Sequence, residues 1–125
     1  MPPSARHHRG QRSHHAGVAA EEAVLRQYEL LGFALLDKRW RGGAGEIDLI
    51  LRKATQVVFV EVKTSRTHAE AASHLSAHQQ ARIYRAAEAY VAQSGDLQTC
   101  DLRFDAALVD GQGQIEILEN AFGLG

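Results

Sequence analysis

Four ionisable residues draw attention by their spacing: Glu46 and Asp48 in one short run, Glu61 and Lys63 in a second. Both runs, Glu46 to Arg52 and Val57 to Thr64, read as strands, and Lys53-Ala54-Thr55-Gln56 joins them as a hairpin loop. With those four residues as the loop, Arg52 pairs with Val57. Asp48 then faces Glu61, Glu46 faces Lys63, and all four side chains share one face. Opposed residues have Cβ atoms about 4.5–5.5 Å apart, and like charges directly opposite are destabilising. Two carboxylates this close beside Val and Phe leave two resolutions: one acid keeps its proton, or a cation lies between them. Oxygen-only donors on a short, rigid hairpin suit Mg²⁺ or Mn²⁺. Lys63, two residues beyond Glu61, can reach toward whatever the metal holds. Carboxylates, a hard divalent metal and a lysine together match the needs of phosphodiester hydrolysis. The competing reading is a solvated strand face with a Glu46–Lys63 surface pair worth about 0.2–1 kcal/mol, since a one-residue slip in register would dissolve the geometry.

The flanking elements must hold these groups in place. Val18, Leu25, Tyr28 and Leu31 recur at helical spacing from Gly17, and Gly32 provides a stop. Phe33 to Trp40 is strand-like, and Gly42-Gly43-Ala44-Gly45 breaks it. After the hairpin, Thr64 to Leu75 reads as a loop. Ser76 caps a second helix with Ile83, Ala87, Tyr90 and Val91 as its buried stripe, ended by Gly95. Leu102 to Val109 reads as a strand, 110–113 as a turn and Gln114 to Leu118 as a short edge strand. The order α-β-β-β-α-β-β, with a helix between two strands, predicts an α/β fold: a mixed β-sheet flanked by helices.

Composition narrows the function classes. The chain has 125 residues, enough for one domain, and 14 Lys and Arg balance 15 Asp and Glu. Residues 1–16 carry Arg6, Arg9 and Arg12, four histidines and no acid, and are expected to be a disordered basic tail ahead of a single domain over 17–125. The pairs His7-His8 and His14-His15 have no fixed spacing to a third ligand, which favours a solvated tail over metal capture. The body is net acidic, which argues against attraction of nucleic acid by the whole surface and leaves room for a local basic patch. Arg39, Arg41, Arg52, Lys53 and Arg66 cluster around the hairpin in sequence and are candidate phosphate contacts, against the reading of solvated hairpin ends. Trp40 has two readings, a base-stacking platform or a half-buried strand residue. No run approaches the roughly 20 apolar residues of a membrane helix. The lone Cys100 makes no intramolecular disulfide, so a reducing cytoplasm is the expected compartment.

Gly45-Glu46-Ile47-Asp48 followed by Val60-Glu61-Val62-Lys63 resembles the active-site signature of the PD-(D/E)XK nuclease superfamily. From Gly17 to Phe122 the chain is more closely similar to the small bacterial YraN-like proteins, predicted endonucleases that resemble Holliday-junction resolvases. Gly17, Glu21, GEIDLI at 45–50, VFVEVK at 58–63 and Arg103-Phe104-Asp105 carry the likeness. It implies a restriction-endonuclease-like fold and a Mg²⁺- or Mn²⁺-dependent endonuclease acting on DNA, branched DNA included, with a homodimer by analogy to resolvases. Asp48, Glu61 and Lys63 would be catalytic, and Glu21, Asp48 and Glu61 would hold the metal. Glu21 edges the apolar helix stripe, whereas Glu22 faces outward. Where such proteins usually place a lysine at the head of the second helix, this chain has Gln79 beside Gln80, able to donate a hydrogen bond without the charge. Arg41, Arg66, Gln79 and Gln80 are the candidate nucleic-acid contacts. The loop after Arg66 is also shorter and lacks a glycine found in such proteins. Both departures bear on substrate affinity more than on the metal site; Gln79 and the acidic body favour the alternative, a non-catalytic nucleic-acid-binding or scaffold module on the same fold, and the intact carboxylate–lysine set opposes it.

Overall fold

The computed structural model describes residues 5–122 other than residue 44, with side chains from residue 17 onward. In chain order it contains α1 (Ala5–Leu30), β1 (Ala34–Gly42), β2 (Gly45–Lys53), β3 (Gln56–Thr64), α2 (His68–Ser73), α3 (Ala77–Gln93), a 3₁₀ turn (Gly95–Leu97), β4 (Asp101–Val109) and β5 (Ile115–Leu118). The strands form one sheet in the order β1-β2-β3-β4-β5. Only β3 and β4 run parallel, and α2 and α3 make the crossover between them. The mixed sheet flanked by helices follows the expected order and is consistent with a restriction-endonuclease-like fold.

β2 and β3 are central strands buried on both sides, which explains their near-continuous apolar runs. Ile50, Val57 and Phe59 pack toward Ile83, Ala86, Ala87 and Tyr90 of α3. Leu49, Leu51, Val58 and Val60 pack toward Ala20, Val24 and Tyr28 of α1. Each large side chain so buried contributes roughly 1.5–3 kcal/mol. The hairpin register matches the expectation: Arg52 pairs with Val57 and Leu49 with Val60. Its loop is tighter, because Lys53 also pairs with Gln56 and leaves Ala54, at φ +54°, and Thr55 to turn the chain.

Two local expectations need correction, and the two readings of Trp40 are decided for the half-buried strand residue. The buried stripe of α1 is Ala20, Val24 and Tyr28, while Leu31 lies exposed beyond the helix end. Spacing by fours keeps one face inward, and the helix ends at Leu30, so Leu31 falls in the turn that Gly32 completes at φ +95°. The stretch 64–75 is not all loop: Thr67 caps α2, its hydroxyl accepting from the Glu70 amide, a Thr-x-x-Glu start written in the sequence. Trp40 packs edge-on against Tyr90 at 5.1 Å and is half-buried in the α3-side core, which removes it as a base-stacking platform. The tail expected over residues 1–16, with its histidine pairs, falls on residues whose side chains lie outside those described.

On the α1 side, the wholly buried Asp105 of β4 accepts hydrogen bonds from the Tyr28 hydroxyl (2.7 Å), the Arg103 Nε and Nη2 (both 2.9 Å) and the Asn120 amide (2.9 Å). Arg103-Phe104-Asp105 thereby acquires a structural task, tying α1, β4 and the turn after β5 together. Among the described residues, no helix is long and apolar enough to cross a membrane.

Candidate active site

The site begins where the β2–β3 ladder stops. Backbone pairing runs from Lys53–Gln56 to Leu49–Val60. One residue further, Asp48 turns its carboxylate inward and Oδ2 accepts from the Val62 amide at 2.8 Å, a side chain taking the role of a strand partner. The two strands thus part at the positions where Asp48 and Glu61 face each other. Glu46 is taken by the other neighbour: it pairs with Arg41 across β1, with an ion pair of 3.4 Å, in place of the expected Glu46–Lys63 contact.

Between the parted strands and the first turns of α3 lies a cavity of about 180 Å³, lined by Glu46, Asp48, Glu61, Gln79, Arg82 and Ile83. Glu61 is 7% exposed and within hydrogen-bonding reach of Asp48. Burial, followed by the hydrogen bond to Asp48 and the Asp48 charge, pushes its carboxyl up to about 9, while Lys63 pulls the other way. The Lys63 side chain is mostly buried, and its ammonium lies 3.9 Å from Glu61 Oε1. The raised Glu61 pKa accords with the first of the two resolutions open to the sequence, one acid keeping its proton. The same two carboxylates could hold a cation once that proton leaves.

α3 reaches the cavity because glycine allows it. A Cβ on Gly45 would stand 2.6 Å from the Arg82 carbonyl oxygen, closer than nonbonded atoms tolerate. The turn between β1 and β2 therefore rests directly on the α3 backbone and seats Gln79 and Arg82 over the acids. Gly45→Ala is expected to push α3 outward, lowering stability by about 1–3 kcal/mol in urea titrations and weakening divalent-metal binding in the same preparation.

Glu21 approaches from α1. Its side chain is 17% exposed, and its pKa is raised by burial, with smaller contributions from Asp48 and Glu46. It lies within the field of the acidic pair, yet its carboxylate is bonded to Arg39, Nε to Oε1 at 2.9 Å. Glu22 is exposed, as the helix spacing predicts. Among the described residues no three His, Cys, Asp or Glu side chains converge as a ready-made cage. The donors at hand are two adjacent carboxylates with a third nearby. That set fits Mg²⁺ or Mn²⁺, since Mg²⁺ keeps several waters and is commonly held by only one or two carboxylates.

The other candidates divide. Gln79 lines the cavity. Gln80 turns away and donates to the Leu75 carbonyl at 3.3 Å. Arg41 lies at the rim through Glu46, whereas Arg66, largely exposed, pairs with Glu70. The sequence cluster of cations is not one patch: Arg52 bonds Asp96 and Lys53 bonds the Leu31 carbonyl at the far end of the hairpin. His68 is held by the Gln114 carbonyl and Glu116, outside the cavity lining. Arg82 escaped the sequence reading altogether. The available signal was its spacing, three residues after Gln79, which puts both on one helix face.

Residues 20–109 match the family described as "Uncharacterised protein family UPF0102". A UPF0102 protein of Ruegeria pomeroyi is 56% identical over 117 residues, covering 94% of this chain and 95% of the relative. One from Cereibacter sphaeroides is 54% identical, covering 90% and 97%. Another from Roseobacter denitrificans is 48% identical over 126 residues, covering 100% and 98%. The matched segment holds Glu21, Asp48, Glu61 and Lys63 together, and on this evidence the chain belongs to the UPF0102 family.

Proposed function

We propose that this protein is a Mg²⁺- or Mn²⁺-dependent endonuclease that hydrolyses DNA phosphodiester bonds in the cytoplasm, branched DNA being its expected substrate and a homodimer its expected working form. The carrying observation is the pairing of half-buried Asp48 with buried Glu61, set where the central strands separate, with the Lys63 ammonium 3.9 Å from Glu61. A fold gains little from crowding two acids into an apolar wall, so their juxtaposition asks for a positive ligand. The likeness of GEID and EVK to the PD-(D/E)XK signature supports the same reading.

Asp48 and Glu61 would hold the metal, joined by Glu21. The bound ion would acidify a water and offset charge on a non-bridging phosphate oxygen. Lys63 donates hydrogen bonds to the attacking water or to the charge that builds on phosphorus oxygens, from a position fixed by its mostly buried stem. Gln79 offers an amide donor to the phosphate from the opposite wall, and Arg82 brings a guanidinium to the same cavity.

Nicking of supercoiled and four-way-junction DNA, with Mn²⁺ and with EDTA, tests the proposal. The parent is expected to cut only with metal, and Asp48→Ala or Lys63→Ala to slow cutting by about 10²-fold. Variants that cut as fast as the parent defeat it. Metal-independent gel shifts without any cutting would assign the protein to the non-catalytic DNA-binding class, which Gln79, in place of a lysine, favours.

A further inference from the structure

Three residues other than glycine have positive φ among those described: Ala54 in the hairpin loop, Asn120 in a turn, and Arg39, which alone of them lies within a strand. Arg39 stands at φ +51°, a conformation that costs a non-glycine residue free energy and persists only where surrounding structure enforces it. The ladder marks the spot. Lys38 pairs with Leu49 and Trp40 with Ile47, and Arg39 falls between them, opposite Asp48. Its guanidinium Nε bonds Glu21 at 2.9 Å. Glu21 cannot approach or retreat by moving its backbone, because its neighbours Ala20 and Val24 are locked in the core. Its side chain has room to turn, for a groove of about 130 Å³, floored by Val18, Leu25 and Leu49, opens beside the pair.

We propose that Arg39 is a positioning residue that holds Glu21 apart from the Asp48–Glu61 pair and yields it to an incoming divalent cation, so that guanidinium and cation compete for one carboxylate. The inference rests on the metal-site reading above and adds a control to it. Without metal, Arg39 supplies the positive charge that keeps a third acid tolerable near two others. With metal, Glu21 exchanges one cation for another, and the guanidinium is released at the rim of the site.

Calorimetric titration of Mn²⁺ into the full chain tests this, using the parent, Arg39→Gln, Glu21→Gln and the double variant, with Glu61→Ala as the background for ions bound elsewhere. Loss of the competitor is expected to tighten Mn²⁺ binding about three- to fivefold, what a half-exposed ion pair is worth. In the Glu21→Gln background the same change should leave affinity unmoved. Arg39→Gly, for which φ +51° carries no strain, should reproduce the tightening and serves if the glutamine variant fails to fold. Equal tightening with and without Glu21 would mean a general field effect and overturn the role. Weaker binding would overturn it too, by making Arg39 an organiser of the chelate. A parent that takes up no more Mn²⁺ than Glu61→Ala defeats the metal-site reading and this inference with it. A binding parent with an unchanged Arg39→Gln defeats only the role of Arg39.

Discussion

Glu61→Gln is expected to make the metal-free protein more stable at pH 8 and to abolish its thermal response to Mn²⁺. Glu61 is buried against a second carboxylate and holds its proton up to about pH 9, against an ordinary value of 4.5 in the unfolded chain. A raised folded-state pKa places the stabilising contribution at low pH. It is complete below about 4.5 and fades as pH climbs toward 9, because folding must then either keep a proton that solvent would remove or bury a second negative charge. The parent's metal-free melting temperature should therefore fall between pH 5 and 9. A glutamine keeps the shape and a donor toward Asp48 without that liability, so Glu61→Gln should flatten this slope and gain on the order of 2 kcal/mol at pH 8. If the proposed site takes Mn²⁺, the ion should stabilise the folded parent by roughly 2.7 kcal/mol of linkage at a hundredfold excess over the dissociation constant and so raise its melting point. The variant would lack one of the proposed ligands and should show no such rise. Scanning calorimetry across pH, with and without Mn²⁺, reads both effects. A variant less stable than its parent at pH 8, or one still stabilised by Mn²⁺, would mean that the pair is a structural hydrogen bond and not a cation site.

The sequence carried the sheet well because the strongest local signals coincided. The run from Val57 to Val60 is strand-sized and rich in β-branched residues, and the short hairpin connection fixes its register on β2, so the opposition of Asp48 and Glu61 is legible in the sequence. Reading the register as continuous past Leu49–Val60 was the error. Nothing local in 46–48 announces that the strands part there, since that depends on the Asp48 side chain capturing the Val62 amide and on Arg39 adopting a left-handed backbone across the sheet. Both are tertiary choices. The same limit explains Glu46, which alternation assigns to Lys63 but whose nearer partner, Arg41, sits on the strand to the other side. The cations read as one cluster because they are close in sequence, yet a hairpin sends its two ends more than half a sheet apart, so Arg52 and Lys53 answer to Asp96 and Leu31. Arg82 illustrates the opposite failure. It lies far from the acids in sequence and meets them only because Gly45 lets α3 close down on the turn.

Asp105→Ala should be the most destabilising single change outside the apolar core, and metal should not repair it. This carboxylate is as buried as Glu61, yet its surroundings are reversed: a hydroxyl, two guanidinium nitrogens and a backbone amide all donate to it. Truncation leaves the Tyr28 hydroxyl and a largely buried Arg103 without their acceptor and unties α1 from β4, a loss of about 3–5 kcal/mol. For a chain of this length that corresponds to roughly 10–20 °C in melting temperature. Tyr28→Phe removes one donor and keeps the charge pair, and should cost about 1–2 kcal/mol. Burial and the adjacent Asp105 raise the Tyr28 phenol above its ordinary value, so its contribution is intact below pH 10 and lost only as alkali drives the proton off. The contrast with Glu61 separates the two acids by physical criteria alone. An acid already surrounded by donors has no use for a cation, so Asp105 variants should shift the urea midpoint while Mn²⁺ affinity, measured under conditions where they remain folded, stays at the parent's value. If Asp105→Ala weakened Mn²⁺ binding as strongly as Glu61→Ala, the division of labour between the two acids would fail, and the metal would have to be sought beside Asp105.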